Sequence, residues 1–167
     1  MKILTTQLTA VFNRISAQEE QIETTARILA QATIGQGTIY IAAFDSLQSV
    51  VTHALLGPEP FLGIKPWTPD AEINSADRVW ILAEKSADTV ANDLANHLRS
   101  NFQPFAVLVG DKGNGVLVES ADACIALGIE KGILPNDLGE RVIQPLSLAA
   151  LYAYEAVKFE HDDMVQG

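Results

Sequence analysis

Two short runs of the sequence gather side chains able to hold a small anion. Phe44-Asp45-Ser46-Leu47-Gln48-Ser49 and Glu84-Lys85-Ser86-Ala87-Asp88-Thr89 each place hydroxyls where an apolar run gives way to a helical pattern. A helix opening at such a point presents free N–H groups and a partial positive charge, which suits a phosphate. Ser46, Ser49, Ser86 and Thr89 add hydroxyl donors, and Lys85 adds a point charge. Ser46, Ser86, Asp88 and Thr89 are equally ordinary N-cap and first-turn residues, so capping and anion binding both account for them.

Groups suited to proton transfer or metal binding are few. His53, in Val50-Val51-Thr52-His53-Ala54-Leu55, is the best single candidate for acid–base work, and it reads as well as a partly exposed helix residue. His97 lies on a helix away from the expected site and reads as surface. His161, with Glu160, Asp162 and Asp163, reads as a solvated acidic helix end, because nothing supplies convergent ligand geometry. Cys124, within an apolar run, reads as a core thiol. Gly110-Asp111-Lys112-Gly113-Asn114-Gly115 matches neither a Walker A loop nor G-x-G-x-x-G; it reads as a flexible turn that rims the same site as the two hydroxyl-rich runs. No metal site and no cofactor is expected.

The elements that must position these residues follow from periodicity. Residues 3–34 carry apolar side chains at spacings of three and four, as one helix or as two joined near a capping box at Ser16-Ala17-Gln18-Glu19. Short runs, apolar on both faces, predict parallel strands over 38–43, 61–64, 78–83, 105–110 and 123–127. Helical patterns fall between them at 46–56 and 88–100, and a last helix is predicted over about 145–160. Strands alternating with helices imply right-handed βαβ units. The expected architecture is one α/β domain over residues 1–167: a doubly wound, flavodoxin-like, five-stranded parallel sheet of order 2-1-3-4-5 with a long N-terminal helix. Ligands of such sheets bind beyond the strand carboxyl ends, here between strands one and three, where both hydroxyl-rich runs lie.

Composition narrows the partners. The chain has 167 residues, a net charge of −10 and a single Cys. The acidic balance argues against nucleic acid and against anionic membrane surfaces. One Cys precludes an internal disulfide framework and fits a reducing compartment. No apolar run approaches the roughly 20 residues of a membrane span, and the N-terminus lacks the apolar core of a signal peptide. A cytoplasmic protein is expected.

The run Val79-Trp80-Ile81-Leu82-Ala83-Glu84-Lys85-Ser86-Ala87-Asp88-Thr89 resembles a family pattern, that of the SIS (sugar isomerase) domain. There an apolar strand leads into Ser-x-Ser-Gly-x-Thr or Ser, whose hydroxyls and amides hold a sugar phosphate. Ser86 and Thr89 fall on the second and last hydroxyl positions, while Glu84 stands for the first Ser and Ala87 for the Gly. The first loop of the family is Gly-x-Gly-x-Ser; this chain has Ala43-Phe44-Asp45-Ser46-Leu47. Asp45 and Glu84 thus bring carboxylates to the expected phosphate position. At an effective dielectric near 20, one carboxylate about 4 Å from a phosphate charge costs about 4 kcal/mol, so these groups must turn away or be offset by Lys85. The resemblance spans nearly the whole chain and stands nearer to phosphoheptose isomerases than to sugar-sensing regulators, alongside a small uncharacterised bacterial group.

Carried over residue by residue, the resemblance places His53 on a functional His position. Gly57 occupies the position of the family's Glu, with Glu59 two residues on. Gln144 matches the family's C-terminal Gln, and Tyr152 stands where a His is expected. The resemblance therefore implies sugar-phosphate binding on Ser46, Ser49, Lys85, Ser86 and Thr89, with His53 and Glu59 as candidates for aldose–ketose isomerisation. It also implies a homodimer or homotetramer, in keeping with the apolar stripe Leu4, Leu8, Val11, Phe12 and Ile15, a stripe that buries against a partner or its own domain. Two alternatives stay open: a non-catalytic oligomeric scaffold or regulatory interaction module on the same fold, and, with less in its favour, a flavodoxin-like nucleotide binder.

Overall fold

The computed structural model describes residues 1–167. Five strands, β1 (Ile39–Ala43), β2 (Ile64–Pro66), β3 (Arg78–Ala83), β4 (Phe105–Val109) and β5 (Ala123–Ala126), form one sheet in the order β2-β1-β3-β4-β5. Every pairing is parallel. β3 and β4 are buried along almost their whole length, because helices cover both faces of the sheet. On one face, α1 (Lys2–Ser16), α2 (Glu19–Ile34), α3 (Gln48–Leu56) and α6 (Leu146–Gln166) pack against Ile39, Ile41, Trp80, Leu82 and Leu108. On the other, α4 (Thr89–Ser100) and the short α5 (Val116–Ser120) cover Val79, Ile81, Ala83, Phe105 and Val107.

Several local features depart from the sequence expectations. The second strand falls on 64–66 rather than 61–64: Phe61 is buried, but its N–H closes the end of α3 by donating to the Ala54 carbonyl. Gly63, at φ +82°, then turns the chain into the sheet. The N-terminal helix is two helices, and the capping box does not form. Ser16 Oγ donates back to Asn13, and Gln18 takes the N-cap position without a side-chain cap. Gln18 is used elsewhere: its amide pairs with both the N–H and the carbonyl of Ala126, and Gln21 accepts from Cys124 N–H. Two glutamine side chains thus satisfy the free edge of β5, which an unpaired strand otherwise offers to other chains.

Three elements carry too weak a period to be read from sequence: α5 and the two-residue strands β6 (Leu134–Pro135) and β7 (Arg141–Val142), which pair antiparallel. α6 runs six residues further than expected, and this corrects the reading of His161. That residue is buried between Thr33 Oγ1 (2.8 Å) and Asp162 (3.0 Å), with Phe61 against its ring, and is no solvated helix end. The α1 stripe is covered largely by its own domain. Val11 and Ile15 are fully buried, and Phe12 stacks on Tyr152 of α6 at 4.6 Å.

Candidate functional site

The sheet order sets β1, β3 and β4 side by side, so the residues that follow their carboxyl ends meet. After β1 the chain passes Phe44 into a single 3-10 turn, Asp45–Leu47, and straight into α3. Asp45 stands where the resembling family has glycine, and it adopts φ +54°. Asp is one of the few residues that tolerate this left-handed region, so the turn keeps a glycine-like path without glycine. After β3, Glu84 to Asp88 lead into α4. Here the capping role falls to Asp88 alone, whose carboxylate accepts from Ala91 N–H at 2.8 Å. Ser86 is buried and aimed elsewhere.

Both central serines are held by carboxylates. The N–H of Ser46 donates to Glu84 Oε1 at 3.1 Å, and its hydroxyl donates to the same oxygen. The N–H of Ser86 donates to Asp111 Oδ2 at 2.8 Å, its hydroxyl to Oδ1 at 2.5 Å, and Gly113 N–H adds a third bond to Oδ1 at 3.0 Å. Burial alone would raise the Asp111 pKa, but the hydrogen bonds from Ser86 and Gly113 outweigh it and hold the carboxyl below its ordinary value. Each serine therefore presents an N–H and an O–H to an anion, and in each case the anion is supplied by the chain itself.

Around these pairs lie two adjoining cavities. One of about 370 Å³ is lined by Asp45, Glu84, Lys85, Ala87, Asp88 and Thr89. The other, of about 230 Å³, is lined by Glu84, Lys85, Asp111, Ile129, Glu130, Gln144 and Leu146. Lys85 is exposed and makes no ion pair. Thr89, the first residue of α4, is likewise exposed. Of the expected ligand residues, Ser46, Lys85, Ser86 and Thr89 come together at this edge. Ser49 lies inside α3, and its hydroxyl is buried without a hydrogen-bond partner.

The candidate acid–base residues lie on α3 and in the segment beyond it. His53 Nε2 pairs with Glu155 Oε1 of α6 at 2.7 Å, a partner that no sequence spacing signals. The ring stands edge-on to Tyr154, and its Nδ1 lies against Gly57. Glu59 is exposed in the segment beyond α3. No three His, Cys, Asp or Glu side chains converge as metal ligands, and no helix is long and apolar enough to cross a membrane. Burial, reinforced by the Asp111 charge, pushes the Cys124 thiol up to about 12.

Known proteins share this frame. Over 99% of this chain and 90% of its own, a proposed sugar-phosphate isomerase from Listeria monocytogenes superposes with a TM-score of 0.68 at 14% identity. The sugar isomerase domain of the RpiR transcription factor from Sphaerobacter thermophilus covers 99% of this chain and 92% of its own, with a TM-score of 0.61 at 13% identity. The fold is thus that of the SIS domain. In sequence, the uncharacterized protein YwjG of Bacillus subtilis (strain 168) is 32% identical over 180 residues, spanning 99% of this chain and 98% of the relative. The family profile of DUF2529, a domain of unknown function, matches residues 1–165, and the chain belongs to that family.

Proposed function

We propose that the chain binds a sugar phosphate at the carboxyl edge of β1 and β3, and that it stands nearer in type to phosphoheptose isomerases than to regulators. The observation that carries the reading is the convergence of Ser46 N–H and Ser46 Oγ–H on a single anionic oxygen at the mouth of the crevice. A phosphate oxygen in that position takes the same two bonds, while Lys85 supplies the opposing charge and Thr89, with the first N–H groups of α4, closes the seat. Ser86 and Asp111 brace the second loop, and Ser49, whose hydroxyl has no partner in the protein, is the further candidate donor on the α3 side. The sugar extends toward Gln144 and the smaller cavity. Its resemblance to structures bearing sugar-isomerase names supports this reading.

Turnover on this reading rests on His53 as the base that moves a proton between adjacent carbons, oriented by Glu155, with Glu59 as the nearest further carboxylate along the chain. The protein acts in the cytoplasm as a homodimer or homotetramer, associating through the α1–α6 face, where Ile3 and Phe159 stay exposed.

A thermal-shift screen against pentose, hexose and heptose phosphates tests it, with inorganic phosphate and free sugars as controls. Ligand at 100 times its dissociation constant stabilises the native state by about 2.7 kcal/mol, a shift of several degrees for a domain of this size. A shift with one sugar phosphate that Ser46→Ala removes supports the seat, and His53→Ala then separates binding from turnover. The second reading, a non-catalytic scaffold, is favoured by one observation: Glu84 and Asp111 already occupy the serine donors. No shift with any ligand at millimolar concentration would decide for it.

A further inference from the structure

We propose that Glu84 is the gate of the crevice: its carboxylate is a resident anion that a ligand's phosphate must displace from Ser46. The inference rests on the sugar-phosphate reading above and goes beyond it, because it assigns a role to a residue that replaces a hydroxyl in the resembling family.

Two carboxylates occupy serine donors at this edge, and the structure separates them. Asp111 is fixed. Both of its oxygens are engaged, by three donors from two different loops, and its partner Ser86 is buried. Glu84 is held by one oxygen and by one residue, Ser46. Its backbone, in contrast, is closely packed: a Cβ built on Gly110 of the neighbouring loop would lie 2.5 Å from the Glu84 carbonyl oxygen. A closely packed backbone carrying a singly anchored, three-torsion side chain makes a gate. Glu84 also has somewhere to go, since with Lys85 it lines both cavities. In the smaller one the Gln144 side chain, which makes no hydrogen bond within the protein, offers an amide donor to a carboxylate that has left Ser46.

The displaced position is not free of cost, because Asp111 and Glu130 line the same smaller cavity and repel a third carboxylate. That cost is common to every ligand that enters by its phosphate, so it sets a threshold of affinity. Closed, the larger cavity holds Asp45, Glu84 and Asp88 against the single cation Lys85, and the Ser46 donors are taken. An inorganic phosphate gains those donors, Lys85 and Thr89 with the start of α4 when it enters. A sugar phosphate gains contacts along its sugar as well, and this surplus drives the exchange. Glu84 therefore excludes the bare anion, abundant in any cell, and admits the anion that carries a sugar.

The test compares wild type, Glu84→Gln and Glu84→Ser by calorimetric titration with inorganic phosphate and with each sugar phosphate of the panel. Far-UV circular dichroism and melting temperature show whether the variants are folded. Glu84→Gln removes the charge and keeps the shape; Glu84→Ser removes the gate and restores a hydroxyl. The expected result is that Glu84→Ser binds inorganic phosphate at least tenfold more tightly than wild type, with Glu84→Gln between them. Sugar-phosphate affinity rises by a similar factor, because the same displacement cost is removed for both ligands, and adding Ser46→Ala cancels the gain. Wild type that binds a sugar phosphate while folded Glu84→Ser and Glu84→Gln gain nothing for phosphate overturns the gate and leaves the binding reading standing. Failure of wild type and both folded variants to bind any of these ligands removes the reading and the gate together.

Discussion

Asp111→Ala removes a carboxylate that the structure uses as a built-in ligand, and its effect can be worked out from the three bonds lost. Ser86 N–H, Ser86 Oγ and Gly113 N–H all donate to Asp111, at 2.8, 2.5 and 3.0 Å. A hydrogen bond to a charged group contributes about 1.5–3 kcal/mol, and a buried N–H left without a partner costs about 1–3 kcal/mol. Because Gly113 sits in the same loop as Asp111 and regains water when the loop relaxes, the three do not add, and a total of about 3 kcal/mol is expected. For a domain of this size that lowers the melting temperature by about 6–12 °C. The distinctive consequence is rescue. The variant leaves an N–H and an O–H of Ser86 facing a space the size of a carboxylate, so formate can enter it. Formate at ten times its dissociation constant returns about 1.4 kcal/mol, or about 3–6 °C, to the variant and nothing to wild type. Asp111→Asn fills the space and keeps one acceptor, so it loses less and is not rescued. The pH dependence has a definite sign. The folded Asp111 carboxyl titrates below its ordinary 3.8, so its stabilisation is complete above that value and vanishes as pH falls through the folded pKa. Urea midpoints of wild type and Asp111→Asn must therefore converge in strong acid. An Asp111→Ala protein that melts within a degree of wild type, or a formate effect equal in both, would refute the account of Asp111 as an internal anion.

Three further outcomes follow from single residues. Asp45 at φ +54° predicts that Asp45→Gly stays within about 0.5 kcal/mol of wild type, while Asp45→Val, forced into a left-handed turn, costs about 1–2 kcal/mol, both read from urea denaturation. Gly110→Ala places a methyl 2.5 Å from the Glu84 carbonyl and 2.8 Å from Leu146 Cδ2, so overpacking costs about 1–3 kcal/mol and shifts the Ser46 amide signal by moving Glu84. Cys124, raised from 9.0 to about 12, forms a thousandfold less thiolate than an ordinary thiol, and native alkylation at pH 8 should be slower than alkylation in urea by about that factor.

The sheet was legible because β3 and β4 are buried on both faces, and a run such as Phe105-Ala106-Val107-Leu108-Val109 admits few other readings. The position of the crevice was legible too, since sheet order alone puts it beyond β1 and β3. Phe61 misled the second strand because burial and strand membership are separate properties: it is buried by folding back onto α3. His161 misled for a related reason, since a helix rich in acids reads as solvated unless the length of α6 and the packing of Thr33 are known. Sequence could place the serines on the loops after β1 and β3, but it could not give their partners. Ser46 meets Glu84 across 38 residues, Ser86 meets Asp111 across 25, and His53 meets Glu155 across 102. No periodicity encodes such pairs. They exist only once the strands are ordered.

Strand order makes the two serine–carboxylate pairs one pattern rather than two coincidences. β1 neighbours β3, and the serine after β1 is held by the acid after β3; β3 neighbours β4, and the serine after β3 is held by the acid after β4. Each rung ties one strand's exit loop to the next, across a parallel sheet whose carboxyl ends all point the same way. Such rungs do mechanically what a bound phosphate does in an open seat: they satisfy loop amides and hold neighbouring loops in register. A chain with Ala43 and Asp45 in its first loop can therefore keep its crevice formed without ligand. What differs between the rungs is their strength, three donors on Asp111 against two donors from a single residue on Glu84. The weaker rung lies at the mouth of the crevice, beside the exposed Lys85, which is the arrangement required if one loop is to stay braced while the other opens.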